Sequence, residues 1–310
     1  MNTKIEFVLV SGVADYFLEQ ALISVYSARM HNPDAIIELV VDTETGLTLT
    51  GSRAAIMKYV SLVTIVEVPE VFNSNTHKSR YLKTSLRQIV KGDFLFIDCD
   101  TVICGSLEKV DDFKGDICMV ADLNGELLLS DQHILERCEM AGFGNLECKP
   151  YFNSGVIFAR DSQTVHNFYS KWFSYWQHSS NAGVIYDQPA LCCTNVELGN
   201  PIVEISGIWN CQFKMKGFPY LKKSKILHYY ANNGNSELPF HIKEIFDRVK
   251  RIGDVDEHII HLLKKPRTVF YSLLDMNPDK AFDLLSTDMV YHYYVHPRLF
   301  GLVSRLMSKF

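Results

Sequence analysis

The sequence predicts an α/β protein with a mostly parallel sheet, and three observations carry that prediction. Short apolar runs alternate with segments of helical spacing through the first hundred residues. One run, Phe94-Leu95-Phe96-Ile97, has no polar position and suits a strand buried on both faces. That run ends on two carboxylates, Asp98 and Asp100, spaced i and i+2. Alternate side chains of a strand share a side, so the pair can converge beyond the strand end. Open α/β sheets bind their ligands there. Clustered carboxylates are costly without a cation or donors. A hard divalent ion holding phosphate oxygens is their usual compensator.

The elements follow in order. Residues 5–10 read as a strand, and Ser11-Gly12-Val13 as a loop. Residues 15–30 carry helical spacing through Phe17, Ala21, Val25 and Ala28, ending near His31-Asn32-Pro33. Residues 36–41 form a second strand, 50–58 a helix, 63–68 a third strand before Pro69, and 79–91 another helix. Strands alternating with helices imply βαβ units. In the second half, 116–121 and 155–159 are strand-like, with a turn at Asn153-Ser154 between Phe152 and the second of them. Residues 165–176 form an aromatic helix, Asp187-Gln188-Pro189 opens a segment leading to Leu191, and 225–230 form a late strand. After the loop signal Asn232-Asn233-Gly234-Asn235-Ser236 the chain reads as helices. This divides it into a domain of residues 1–239 and a helical segment of residues 240–310.

Composition bounds the function. With 310 residues, 47% apolar and 22% charged, the chain can bury a sizeable core. A net charge of −5 argues against nucleic-acid binding. No apolar run approaches the roughly 20 residues that span a bilayer. The N-terminus shows no signal-peptide pattern. None of the eight cysteines forms a Cys-x-x-Cys pair, so reduced, mostly buried thiols in a cytoplasmic protein are expected.

Four motifs stand in order: Asp98-Cys99-Asp100, Tyr151-Phe152-Asn153-Ser154-Gly155, Asp187-Gln188 and His228-Tyr229-Tyr230. Together they resemble glycosyltransferase family 8, the retaining sugar transferases that include glycogenin and bacterial lipopolysaccharide galactosyl- and glucosyltransferases. The similarity runs from the first strand to about residue 235. The resemblance implies a GT-A fold, a nucleotide diphosphate sugar donor such as UDP-galactose or UDP-glucose, and Mn²⁺ or Mg²⁺. It implies Asp98, Asp100 and His228 as metal ligands. Lys83, or Arg80 in its place, would meet donor phosphate or sugar, and Asp122, Asn153 and Ser154 would meet the sugar. Asp187 would bind a donor hydroxyl, and Gln188 would face the sugar opposite the leaving group. A glutamine is a poor nucleophile, so retention is expected by front-face attack, with Gln188 and Asp187 as the catalytic pair and a covalent intermediate on Asp187 as the minor alternative.

The match departs from the family in two places. Ser11 stands where the family has an acidic residue and, with Tyr16, would hold the base. No lysine follows the late histidine, which leaves Lys222, Lys223 or Lys225 for the diphosphate. Two rival readings follow. One is a catalytically weakened glycan- or nucleotide-binding protein. The other is a nucleotidyltransferase, which would need a basic glycine-rich loop where Ser11-Gly12-Val13 stands. Residues 289–310 carry Arg298, Arg305 and Lys309 among tyrosines and phenylalanines, with no acidic residue. This composition suits an anionic membrane surface or a helix packed on the domain. With a membrane surface, the acceptor would be a lipid-linked glycan at the cytoplasmic face.

Overall fold

The computed structural model describes residues 1–125, 132–144, 150–212, 217–229 and 240–269. Residues 232–236 and 289–310, singled out above, lie outside them. From the N-terminus the first elements are β1 (Lys4–Leu9), α1 (Phe17–His31), β2 (Ile37–Asp42), α2 (Thr43–Thr48) and β3 (Leu62–Val66). Then come α3 (Asn75–Thr84), α4 (Leu86–Ile89), β4 (Phe94–Ile97), β5 (Thr101–Ile103) and β6 (Ile117–Ala121). The second half has α5 (Gln132–Met140), β7 (Phe152–Ala159), α6 (Gln163–Asn181), α7 (Gln188–Glu197), β8 (Ile202–Glu204) and β9 (Ile226–His228). The last described elements are α8 (Phe240–Ile252), α9 (Glu257–Leu263) and α10 (Pro266–Val269).

Seven strands form one sheet in the order β3-β2-β1-β4-β7-β6-β8. β1 pairs parallel with both β2 and β4, and β2 with β3, as the βαβ pattern requires. β7 runs antiparallel between β4 and β6. Every residue of β4 is buried, which accounts for its unbroken apolar run. One core cluster lies on the α1 side of the sheet. The other gathers Phe94, Phe96, Phe168, Trp172 and Trp176 under α6. The seven described cysteines are free thiols.

Four local expectations change. Asn153 and Ser154 do not form a turn: they lie inside β7, which starts at Phe152. A register shift between Met119 and Val120 accommodates them, because the bulge lets β7 carry extra residues without ending. The helix expected at 79–91 starts earlier, where Ser74 accepts from the His77 amide as N-cap. It breaks at Ser85 into α3 and α4. Residues Gly51–Lys58 form a 3-10 helix. The late strand shortens to β9 and pairs antiparallel with β5, outside the main sheet.

Beyond the expected boundary at 239, α8 lays Ile242, Ile245, Phe246 and Val249 into the same core cluster as β1 and α1. Among the described residues, no helix is long and apolar enough to cross a membrane.

Candidate active site

β4 delivers its two carboxylates because β7 and β5 hold the chain on past the strand end. The Asp98 amide donates to the Gly155 carbonyl at 2.7 Å. Thr101 Oγ1 donates to the Asp98 carbonyl at 2.8 Å, closing a tight turn. β5 then pairs with β9 so that Thr101 stands opposite His228, and the Tyr229 amide donates to the Asp100 carbonyl. Asp98, Asp100 and His228 thereby bring three ligand atoms within 4.8 Å of one another. His228 Nε2 lies 3.1 Å from Asp100 Oδ1. Burial alone would lower the imidazole pKa, but the charge and hydrogen bond of Asp100, with Asp98 behind it, raise it. The site thus attracts positive charge. Two partly exposed carboxylates and one buried imidazole fit a borderline divalent cation.

Lys83 comes from α3 and is not a surface lysine; its side chain is 2% exposed. Its ammonium donates to both Asp98 oxygens at 3.2 and 3.3 Å and to Ser154 Oγ at 3.1 Å. It also lies 3.6 Å from Asp187 Oδ2. Asp187 accepts from Ser154 Oγ at 2.7 Å, and Arg80 Nε stands 3.0 Å from its other oxygen. Burial would raise the Asp187 pKa, but Lys83 and Arg80 override it and hold the group at about 2. Lys83 and Ser154 therefore brace Asp98 and Asp187.

Asp187 immediately precedes α7, and its carbonyl accepts from the Trp172 indole at 3.0 Å. Gln188 opens α7, with Pro189 set where its missing N–H costs nothing. The Gln188 amide donates to the Phe152 carbonyl at 3.3 Å and also reaches the Asp122 carboxyl. Asp122 follows β6 and accepts from Asn153 Nδ2 at 2.8 Å. Burial raises its pKa against those two hydrogen bonds.

The next two residues, Leu123 and Asn124, have φ of 57° and 52°. This left-handed backbone is unfavourable for Leu. It is clamped by segment 210–212. The Leu123 amide donates to Gln212 Oε1, the Gln212 amide to Asn124 Oδ1, and Asn124 Nδ2 to the Asn210 carbonyl.

The other end of the expected site differs. Ser11 Oγ donates to Asp15 Oδ1 at 2.7 Å and accepts from Arg53 at 3.2 Å. The acidic group of this loop is therefore Asp15, whose other oxygen accepts from the Gly12 amide. Tyr16 is 9% exposed, and its hydroxyl is hydrogen-bonded to Asp247 of α8. Lys250 lies 4.8 Å from the Tyr16 ring centroid and Lys243 5.5 Å, so α8 covers a ring that the resemblance assigned to the base. Lys225 donates to the Ser106 carbonyl, at the end of the β5–β9 pair away from His228. Lys222 and Lys223 are on an exposed 3-10 turn.

The structure thus gathers Asp98, Asp100, His228, Lys83, Ser154 and Asp187 in one network, and Asp122, Asn153 and Gln188 in an adjoining one. Sequence reasoning missed Asn210, Gln212, Asn124 and Asp15. All four sit in short irregular segments, where no periodicity marks a residue.

The glycosyl transferase family 8 model matches residues 8–236. No curated protein matches the sequence significantly. Among solved structures, the galactosyltransferase LgtC in complex with donor and acceptor sugar analogs aligns at TM-score 0.52 and 15% identity. That alignment covers 84% of this chain and 99% of LgtC. An active-site mutant of LgtC aligns at 0.51 with 13% identity, over 83% of this chain and 98% of the other. The apo bifunctional glycosyltransferase WbbM aligns at 0.51 with 16% identity, over 85% of this chain and 51% of the other. Identities this low speak for shared fold, and the fold is GT-A. The family model runs from within β1 to beyond β9, taking in every element that builds the site, and the chain belongs to glycosyl transferase family 8: it is a glycosyltransferase.

Proposed function

We propose that this glycosyltransferase is metal-dependent and retaining. It moves a hexose from a nucleotide diphosphate sugar, UDP-galactose or UDP-glucose, to a hydroxyl of a cell-surface glycan or lipid-linked acceptor. The convergence of Asp98, Asp100 and His228 carries the reading. These three would hold Mn²⁺, or Mg²⁺, with the imidazole favouring Mn²⁺. When bound, such an ion supplies Lewis-acid stabilisation of the departing diphosphate.

The remaining chemistry belongs to the chain. Asp187 stays ionised between Lys83 and Arg80, ready to accept from a donor hydroxyl. Its oxygens already face Ser154, Lys83 and Arg80, which makes it a weak nucleophile. Gln188 is an amide fixed by the Phe152 carbonyl, able to orient the sugar but not to bond with it. Both facts favour front-face attack, in which the acceptor hydroxyl enters on the side the diphosphate leaves and the leaving phosphate takes its proton.

The basic, aromatic residues 289–310 would bring the enzyme to an anionic membrane surface, which vesicle binding tests. The burial of Tyr16 under α8 supports a second reading, a binding protein that has lost base recognition.

The deciding experiment is Mn²⁺-dependent release of UDP from UDP-galactose and UDP-glucose. The expected result is turnover by the wild type and a loss on the order of a hundredfold or more in Asp100→Asn, with unchanged thermal stability. An α product by proton NMR supports retention, and a β product refutes it. Thermal stabilisation by Mn²⁺ and UDP without any hydrolysis would favour the binding protein.

A further inference from the structure

We infer that Asn210 is a positioning residue: by accepting from His228 Nδ1 it turns Nε2 toward Asp100 and the metal site. The inference rests on the metal-site reading above. Its basis is a chain of hydrogen bonds with one unambiguous donor.

The Gly155 backbone N–H can only donate, and it lies 2.9 Å from Asn153 Oδ1. The Asn153 atom there is therefore an acceptor. The Asn210 atom 2.8 Å from that same oxygen must then be its amide nitrogen. This orients the Asn210 side chain with Oδ1 toward His228 Nδ1 at 3.1 Å. An amide oxygen only accepts, so His228 Nδ1 carries the proton. That leaves Nε2, 3.1 Å from Asp100 Oδ1, as the nitrogen that donates to the carboxylate or gives up its proton to a metal. The assignment follows from partner chemistry, not from which way an amide happened to be placed. Metal-bound histidines are commonly held this way through their second nitrogen.

Two further features support it. Asn210 is fully buried, at the end of the 3-10 turn Gly207–Trp209, and its carbonyl is tied to Asn124. Its position is thus set by the backbone and not by His228 alone. Gly155 supplies the room: a Cβ there would stand 2.5 Å from His228 Cε1 and 2.9 Å from Asn153 Oδ1. The relay continues through Asn153 to Asp122, which Gln188 also reaches. The metal ligand and the residue facing the sugar are thereby held by one connected network.

The test combines side-chain ¹⁵N spectra of His228 in the full chain at neutral pH with calorimetric titration of Mn²⁺. The wild type should show a protonated Nδ1. Asn210→Leu should lose the Nδ1 proton and weaken Mn²⁺ binding by about 10- to 100-fold, with a native circular dichroism spectrum. Asn210→Asp keeps an acceptor oxygen and should keep the Nδ1 proton. A wild type with a bare Nδ1 would overturn the inference without any variant, as would an Asn210→Leu chain that retains both the Nδ1 proton and the affinity. If Asn210→Leu does not fold, the wild-type and Asn210→Asp spectra decide. A wild type that binds no Mn²⁺ would instead sink the metal-site reading, and with it the purpose assigned to Asn210. A metal-binding wild type with a bare Nδ1 sinks only the role of Asn210.

Discussion

Glu6 and Asp187 are both buried carboxyls, and their neighbours send them opposite ways. Asp187 has Lys83, Arg80 and Ser154, and sits near a pKa of about 2. Glu6 lies in β1 directly opposite Glu38 of β2, and neither of its oxygens accepts from a donor. Burial first, and then the Glu38 charge, push its pKa up to about 9. A raised carboxyl is protonated in both states below its unfolded value near 4.5. It therefore costs stability as pH rises from there toward 9. Glu6→Gln should remove that slope. At pH 8 the variant should be more stable than wild type by on the order of a few kcal/mol, read as a higher melting temperature, and the two should converge near pH 4.5. Parallel melts showing no pH-dependent gap would mean Glu6 is ionised in the fold. The sequence gives no hint of this, because Ile5-Glu6-Phe7 reads as ordinary alternation with Glu6 facing water. The strand is central, and helices cover both faces.

β7 is the element on which most of the site depends. It carries Asn153 and Ser154, pairs with β4 to steady Asp98, and passes within van der Waals contact of His228 at Gly155. Gly155→Ala should cost about 1–3 kcal/mol by overpacking. It should also weaken Mn²⁺ binding by about tenfold or more, because the imidazole has to shift. Denaturant melts and metal titration would check this, and wild-type values for both would show that the ring yields freely. β4 was legible because a buried strand ending in Asp98 and Asp100 has few other readings. β7 was misread at its start because Asn-Ser-Gly is turn chemistry. That chemistry is present, as the Gly155 amide bonding back to Asn153 Oδ1, but inside a bulged strand. The hub role of Lys83 was not legible either, since helical spacing does not say which face α6 and β7 will cover.

At the scale of the whole molecule, fold class followed from strand-helix alternation, while the limits of the core did not. α8 buries four large apolar side chains against the α1 side, each contributing about 1.5–3 kcal/mol. A chain ending at residue 239 should therefore aggregate or melt far below wild type. One ending at 288 should remain monodisperse in size-exclusion chromatography but lose binding to anionic vesicles. Aggregation of the longer chain would show that the tail completes the core. The pairing of β5 with β9 has one more consequence, and it concerns time. The three candidate ligands come from the turn between β4 and β5 and from β9, segments made far apart during synthesis, and β5 has no other partner strand among the described residues. A nascent chain can lay down β1 to β4 early, since their pairings are local or one crossover apart, but it cannot close the triad until β9 has left the ribosome. A chain stopped before β9 would therefore have no assembled triad with which to hold an ion or a sugar nucleotide.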